Sequence, residues 1–199
     1  DERHEAYAQK FAELRARKGV TIEQARETMN NNTYFATMMV KMGDADGLVS
    51  GACHSTADTL RPALQIIKTA PGTKLVSAFF IMSTDKPEFG EDGTLLFADC
   101  GLNINPNADE LSEIALASAQ SWRAFMDQEP RVAMLSYSTM GSAGGETAEK
   151  VQEATKLANE KAPELALDGD LQLDAAIVPE VAKLKAPYSK VAGHANILV

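Results

Sequence analysis

Along the first 18 residues Tyr7, Phe11 and Leu14 fall at helical spacing with charges between them, and Gly19 follows. This pattern predicts an amphipathic helix over 1–18, closed by a glycine suited to the left-handed helix end. Thr21 with Gln24 three residues later has the form of a capping box, so a second helix starts there and stops at Asn30, Asn31 and Asn32. A third is predicted over 34–42, ended by Gly43. The period then changes: Leu48, Val49 and Ser50 form a short apolar run between turn formers, which predicts a strand, and a helix over 59–68 containing Pro62 follows it.

Runs 75–82 and 94–100 read as strands, and the turn formers of 85–93 between them suit an antiparallel pair. Asn107 can cap a long helix whose Leu111, Ile114, Ala115, Ser118, Trp122 and Phe125 share one stripe. Strand 132–137, a glycine-rich loop over 138–145, helix 147–159, strand 165–167, helix 178–185 and strand 195–199 complete the alternation. Repeated strand-helix units predict an α/β fold, with helices on both faces of a largely parallel, mixed sheet. The apolar ending Ile197, Leu198, Val199 leads to the expectation of a truncated chain whose last strand has an unpaired edge open to self-association.

Composition narrows the class. Of 199 residues 45% are hydrophobic and 24% charged, with glycine and proline dispersed, which fits a folded protein and not a disordered one. With 28 acids against 19 bases the net charge is -9, which disfavours nucleic acid and anionic membrane surfaces as partners. The apolar run at 75–82 is far below the roughly 18 residues of a spanning helix. Two cysteines make no disulfide framework, no secretory stretch is evident, and a reducing cytoplasm is the expected location. The scattered His4, His54 and His194 lack metal-site spacing, so no metal is expected.

The most pointed stretch runs from Ser50 through His54, Ser55, Thr56 and Thr59 to Arg61 and Pro62. If Pro62 sits in a first helical turn, Thr59 lies near the cap and Arg61 stands beside unpaired N–H groups, which makes an anion site. Capping residues plus a surface Arg-acid pair explain the same spacing equally well. Gly141, Ser142, Gly144 and Gly145 would let backbone approach a ligand, yet they match no nucleophile elbow, dinucleotide or Walker pattern, and a plain turn accounts for them. Asp168, Asp170 and Asp174 fail the calcium-loop spacing, and helix capping suits them better. His54 could act as a general base, but a hydrogen-bonding structural role is commoner. Cys53 reads as a small neutral residue rather than a nucleophile.

Taken together these stretches resemble the phosphate acetyltransferases along nearly the whole chain. The resemblance rests on Glu13-Leu14-Arg15 with Lys18-Gly19, Asp46-Gly47-Leu48-Val49-Ser50-Gly51, His54-Ser55-Thr56 through Arg61-Pro62, and Gln65-Ile66-Ile67-Lys68-Thr69. It continues through Phe97-Ala98-Asp99-Cys100, Asn103-Ile104-Asn105-Pro106, Met134-Leu135-Ser136-Tyr137-Ser138-Thr139, Asp168-Gly169, Leu171-Gln172, Asp174-Ala175-Ala176 and Val191-Ala192-Gly193. The resemblance implies a three-layer α/β/α fold like that of isocitrate and isopropylmalate dehydrogenases, with 1–70 part of a first domain and 71–199 the second. It implies reversible acetyl transfer between coenzyme A and phosphate, with acetyl phosphate and acetyl-CoA as partners, coenzyme A as substrate rather than cofactor, and a homodimer.

As site residues for substrate and coenzyme A it implies Arg15, His54, Ser55, Thr56, Thr59 and Arg61, joined by Ser138, Thr139, Gly141 and Ser142. Met140 and His194 stand where the family commonly has a basic residue. The family's Asp-Leu-Ser-Arg-Gly stretch and nearby Asp are absent here, so the catalytic groups are expected beyond Val199, and the chain alone is expected to be inactive. A non-catalytic acetyl-CoA sensing module and a transferase of butyryl or other acyl groups are the alternatives.

Overall fold

In the computed structural model, which describes residues 2–199, the chain forms two compact units, Asp1–Pro71 and Gly72–Val199.

The first unit is helical. Helix α1 (Glu2–Arg15) runs into a short 3-10 turn (Ala16–Lys18), and Gly19 closes it at φ +73°, the left-handed conformation that only glycine adopts without steric cost. Helix α2 (Ile22–Thr28) starts on the expected capping box of Thr21 and Gln24, and α3 (Asn32–Met42) is capped by Asn31 and ended by Gly43. Tyr7, Phe11, Ala25, Met29 and Met38 bury one face of these helices with Ile66 of α4 (Thr56–Ile66). Two cross-links fix the arrangement: Arg26 clamps Glu5 through Nε and Nη2, and the Tyr34 hydroxyl donates to Gln65 Oε1 at 3.1 Å.

Two expectations fail in this unit. Leu48, Val49 and Ser50 form no strand: Val49 is fully exposed, and no described strand of the unit offers a ladder to pair with. Apolar runs become strands only when another backbone satisfies their N–H and C=O groups. Helix α4 begins one turn earlier than expected, on Ser55 rather than near Thr59. Pro62 is therefore inside the helix, where it withholds one N–H from the ladder but buries its ring.

The described residues of the second unit form a five-stranded sheet in the order β1-β2-β5-β3-β4. The strands are β1 (Phe79–Ser83), β2 (Thr94–Ala98), β3 (Arg131–Leu135), β4 (Ala166–Leu171) and β5 (Ile197–Leu198). Only β1 is antiparallel, paired with β2 as the turn-rich connection suggested; β2, β5, β3 and β4 run parallel. Side chains alternate across the sheet. Leu96, Val132, Met134 and Ile197 meet α5 (Ala108–Phe125) and α6 (Glu146–Lys161) on one face. Leu95, Ala133 and Leu198 meet α7 (Leu173–Ile177) and α8 (Pro179–Lys185) on the other, which makes three layers.

Strand β5 corrects the sequence reading most sharply. It is no open edge: it lies between β2 and β3, and Ile197 and Leu198 are buried. A run of three apolar residues is the expected composition of a strand covered on both faces. Asn196 anchors it, accepting from Arg131 N at 2.7 Å and donating to the Glu129 carbonyl at 2.9 Å. The exposed edges are β1 and β4. Phe125 ends α5 outside the stripe, 64% exposed, and α7 was not foreseen.

Candidate functional site

Each unit carries candidate site residues of its own. In the first, Ser55 Oγ accepts from Asp58 N at 3.1 Å and donates to Asp58 Oδ2 at 2.7 Å, which pins the start of α4. Thr59 Oγ1 donates back to the Ser55 carbonyl at 3.1 Å. Arg61 Nη1 reaches Asp58 Oδ1 at 3.1 Å with both side chains half exposed. The Ser55 hydroxyl, with Arg61 and His54 nearby, holds the Asp58 carboxyl below its usual range. Geometry thus shows Arg61 in the surface ion pair of the plainer reading. Such a pair contributes little in water, so a doubly charged phosphate can displace it.

Among the described residues no hydrogen bond engages the His54 ring or the Thr56 hydroxyl; both residues are exposed beside the helix start. The leading N–H groups of α4 have no partner inside the helix and carry the positive end of its dipole. Arg15 ends α1 partly buried, and its Nε has no hydrogen-bond partner among the described residues.

In the second unit the 136–145 loop leaves the carboxyl end of β3, the edge at which open parallel sheets receive ligands. Ser138 and Thr139 are buried. Thr139 N donates to Ser142 Oγ at 3.0 Å, and Thr139 Oγ1 exchanges bonds with Gln172, donating to Oε1 at 3.2 Å and accepting from N at 3.0 Å. Met140 and Gly141 both have left-handed backbones, at φ +49° and +73°. This conformation turns Gly141 N toward Asp170 Oδ1 at 3.0 Å, while Met140 N donates to the Asp170 carbonyl at 2.9 Å. Gly145 is required by its φ of +125° and by space: a Cβ there would lie 2.7 Å from the Tyr137 hydroxyl, which itself donates to the Gly144 carbonyl.

Asp170 is the residue that spacing alone did not single out. It is 1% exposed and receives Gly141 N, the Ser138 hydroxyl and Gln152 Nε2. Burial pushes its carboxyl up, and these donors more than offset burial, holding it below the ordinary carboxylate range. Asp168 and Asp174 engage their own neighbours instead: Asp168 Oδ1 accepts from Gly169 N, and Asp174 pairs with Lys185 at 2.9 Å. The three acids are thus not one cluster.

Asp99 plays a similar part at the end of β2. It gathers N–H groups of Ala78, Gly101 and Leu102 and the Asn103 amide, which places the loop after β2 at the same carboxyl edge. Burial again pushes up and these donors prevail, so its carboxyl is held low. The contrast at α6 is informative. Glu146 and Glu149 occupy its first turn, so its own acids, rather than an incoming anion, face the helix dipole.

A layered α/β unit with two hydrogen-bonded loops at the carboxyl edge of its parallel strands, in one chain with a helical unit, defines the class of layered α/β proteins. The chain belongs to the family described as phosphate acetyl/butaryl transferase, whose profile matches residues 1–199. It is 60% identical to the phosphate acetyltransferase of Acetivibrio thermocellus and 59% identical to that of Thermoanaerobacterium thermosaccharolyticum. Each match covers all of this chain and 60% of the relative. Among solved structures it is similar to the EutD phosphotransacetylase from Staphylococcus aureus, with a TM-score of 0.84 at 50% identity over 98% of this chain and 58% of that one. A phosphotransacetylase from Streptococcus pyogenes gives the same TM-score and identity, over 100% and 57%. The chain therefore spans about three fifths of the length of these relatives. No described helix is long and apolar enough to cross a membrane.

Proposed function

We propose that the whole protein transfers an acetyl group reversibly between coenzyme A and phosphate. The observation that carries this reading is the match over 198 residues, at 59% and 60% identity, to relatives named phosphate acetyltransferase. In the forward chemistry a base takes the coenzyme A thiol proton, and the thiolate attacks the carbonyl carbon of acetyl phosphate. The new C–S bond forms as the C–O bond to phosphate breaks, and phosphate leaves with the electron pair. Two polyanions must meet for this, so the chain's task is to offset their repulsion and position them.

Arg15, with an unengaged Nε, and Arg61, held only by an exposed acid, are the cations this reading assigns to coenzyme A and phosphate. His54 and Thr56 supply unengaged donors at the start of α4, and Ser55 and Thr59 spend their hydroxyl protons on Asp58 and on the Ser55 carbonyl, which holds that start in shape. In the second unit Ser138, Thr139, Gly141 and Ser142 form a loop whose shape Asp170 maintains as a positioning residue. The acid–base groups are assigned to sequence beyond Val199, and no metal or cofactor enters the scheme. We further assign a cytoplasmic homodimer without nucleic-acid or membrane partners, in keeping with the net charge of -9.

The test is thioester formation by the whole protein, followed with acetyl, propionyl and butyryl phosphate. Preferred turnover of acetyl phosphate supports the proposal. Preference for butyryl phosphate would reassign the acyl group, and coenzyme A binding without turnover would make the protein a sensing module.

A further inference from the structure

One cavity of the second unit lies outside the residues so far assigned. It has a volume of about 340 Å³, is bounded by Met140 and by residues 185–189, and reaches Asp168 on the edge strand β4. That volume is in the range of small-molecule sites. Its walls are mostly apolar: the Met140 side chain, Pro187 and the ring of Tyr188, which is 97% exposed in spite of its size.

The polar groups restrict what can enter. Ser189 Oγ accepts from Val191 N at 3.2 Å and Ala192 N at 3.0 Å, which leaves its proton to donate. The Lys185 ammonium is tied to Asp174 and Gln172 at 2.9 Å each. Asp168 uses one carboxylate oxygen on Gly169 N. An anionic headgroup would face the Asp168 carboxylate, with the lysine charge already engaged. A plain acyl chain would strip water from Asp168 and Ser189 and return no hydrogen bond. A flat neutral ring carrying an amine and ring nitrogens meets every demand: amine to carboxylate, ring nitrogen to serine hydroxyl, and face to tyrosine.

We propose that this cavity binds an aminopurine base. The base can arrive on coenzyme A, in which case the site rests on the acetyl-transfer reading, or on a free adenine nucleotide. Two measurements on the whole protein separate these sources, comparing wild type with Tyr188→Ala and Asp168→Asn. The first is the KM for coenzyme A beside that for 4′-phosphopantetheine, which lacks the base. The second is calorimetric titration with AMP and with IMP, in which a carbonyl replaces the amine.

Loss of a base–aromatic stack is worth roughly fivefold or more in affinity. The expected result is a KM for coenzyme A raised by about that factor in both variants, with kcat and the KM for 4′-phosphopantetheine unmoved. AMP binding that weakens in the variants, while the KM for coenzyme A stays put, assigns the cavity to a free nucleotide. Under either source Asp168→Asn narrows the preference for AMP over IMP, a change that a purely structural role would not produce. If neither the coenzyme A KM nor AMP binding responds to the variants, the proposal is overturned. Absence of acetyl transfer would instead sink the broader reading, and the AMP titration would still judge this cavity.

Discussion

Gly141 donates its backbone N–H to Asp170 Oδ1 across 29 residues of sequence, at 3.0 Å, and so fastens the loop after β3 to the end of β4. The carboxylate is buried, and it is charged because three donors converge on it. Asp170→Asn keeps the shape but brings an amide that cannot accept from all three. Leaving a buried group unpaired costs about 1–3 kcal/mol. Chemical denaturation at pH 7 is expected to show a loss of that size, and the whole enzyme a raised KM. Wild-type stability and KM in the variant would remove Asp170 from its positioning role.

The same carboxylate gives a pH signature. Its folded pKa is depressed below the unfolded value of about 3.9. Its contribution is therefore fully present above that value and is lost as pH falls through the folded pKa. Asp99, depressed in the same way, adds to the loss. Stability followed from pH 5 down to pH 2 is expected to fall more steeply for wild type than for Asp170→Asn. Parallel curves would mean that Asp170 is not held charged by the fold.

Arg61→Gln and Arg15→Gln in the whole protein are each expected to raise the KM for a polyanionic substrate roughly tenfold, since each removes a charge-assisted contact. Asp58→Asn makes the complementary test. It frees Arg61 from its exposed partner, so KM is expected to fall slightly. Kinetics unchanged in all three variants would return Arg61 to a surface ion pair and Arg15 to the packing of α1.

How far the sequence could be read follows the range of the interactions involved. Thr21 with Gln24, Asn107 at the start of α5, and the closing glycines 19 and 43 act within a few residues, and each was legible. Val49 was misread because strand formation needs a partner that the run itself does not contain. The placement of β5 was illegible for the same reason: the last residues of the chain insert between β2 and β3 by pairings that a one-dimensional pattern does not carry. In the site, Ser138, Thr139, Gly141 and Ser142 stand in one bonded loop, but Asp170 was seen only as a member of a failed calcium pattern. Its three donors come from β3's loop and from α6, contacts of 18 to 32 residues' separation that no spacing rule reports.

The thiols are not expected to take part in chemistry. Cys53 is exposed in the loop before α4, and Cys100 Sγ engages the Phe97 carbonyl. Because the proposed reaction uses the thiol of coenzyme A, the double variant Cys53→Ala, Cys100→Ala is expected to keep kcat within about twofold, a margin in which a lost transition-state contact would stand out. A folded double variant without turnover, checked by circular dichroism, would contradict direct displacement.

Strand β1 bears on assembly. It is an edge of the sheet, and Phe80, Ile81 and Met82 are 58%, 47% and 42% exposed. Its sequence from Phe79 to Ser83 holds no charge and no proline, the two devices that usually blunt an open edge. The homodimer proposed above is expected to form at this edge. Antiparallel pairing about a two-fold axis would place the strand against itself, satisfy both rows of backbone groups, and bring no like charges together. Ile81→Lys sets two ammonium groups near that axis while leaving the buried residues of the sheet untouched. Sedimentation velocity on the whole protein is expected to show a dimer for wild type and a concentration-dependent shift to monomer for the variant, with the far-UV spectrum unchanged. A dimer of undiminished affinity in Ile81→Lys would exclude the β1 edge as the contact and leave the apolar strand without an occupant.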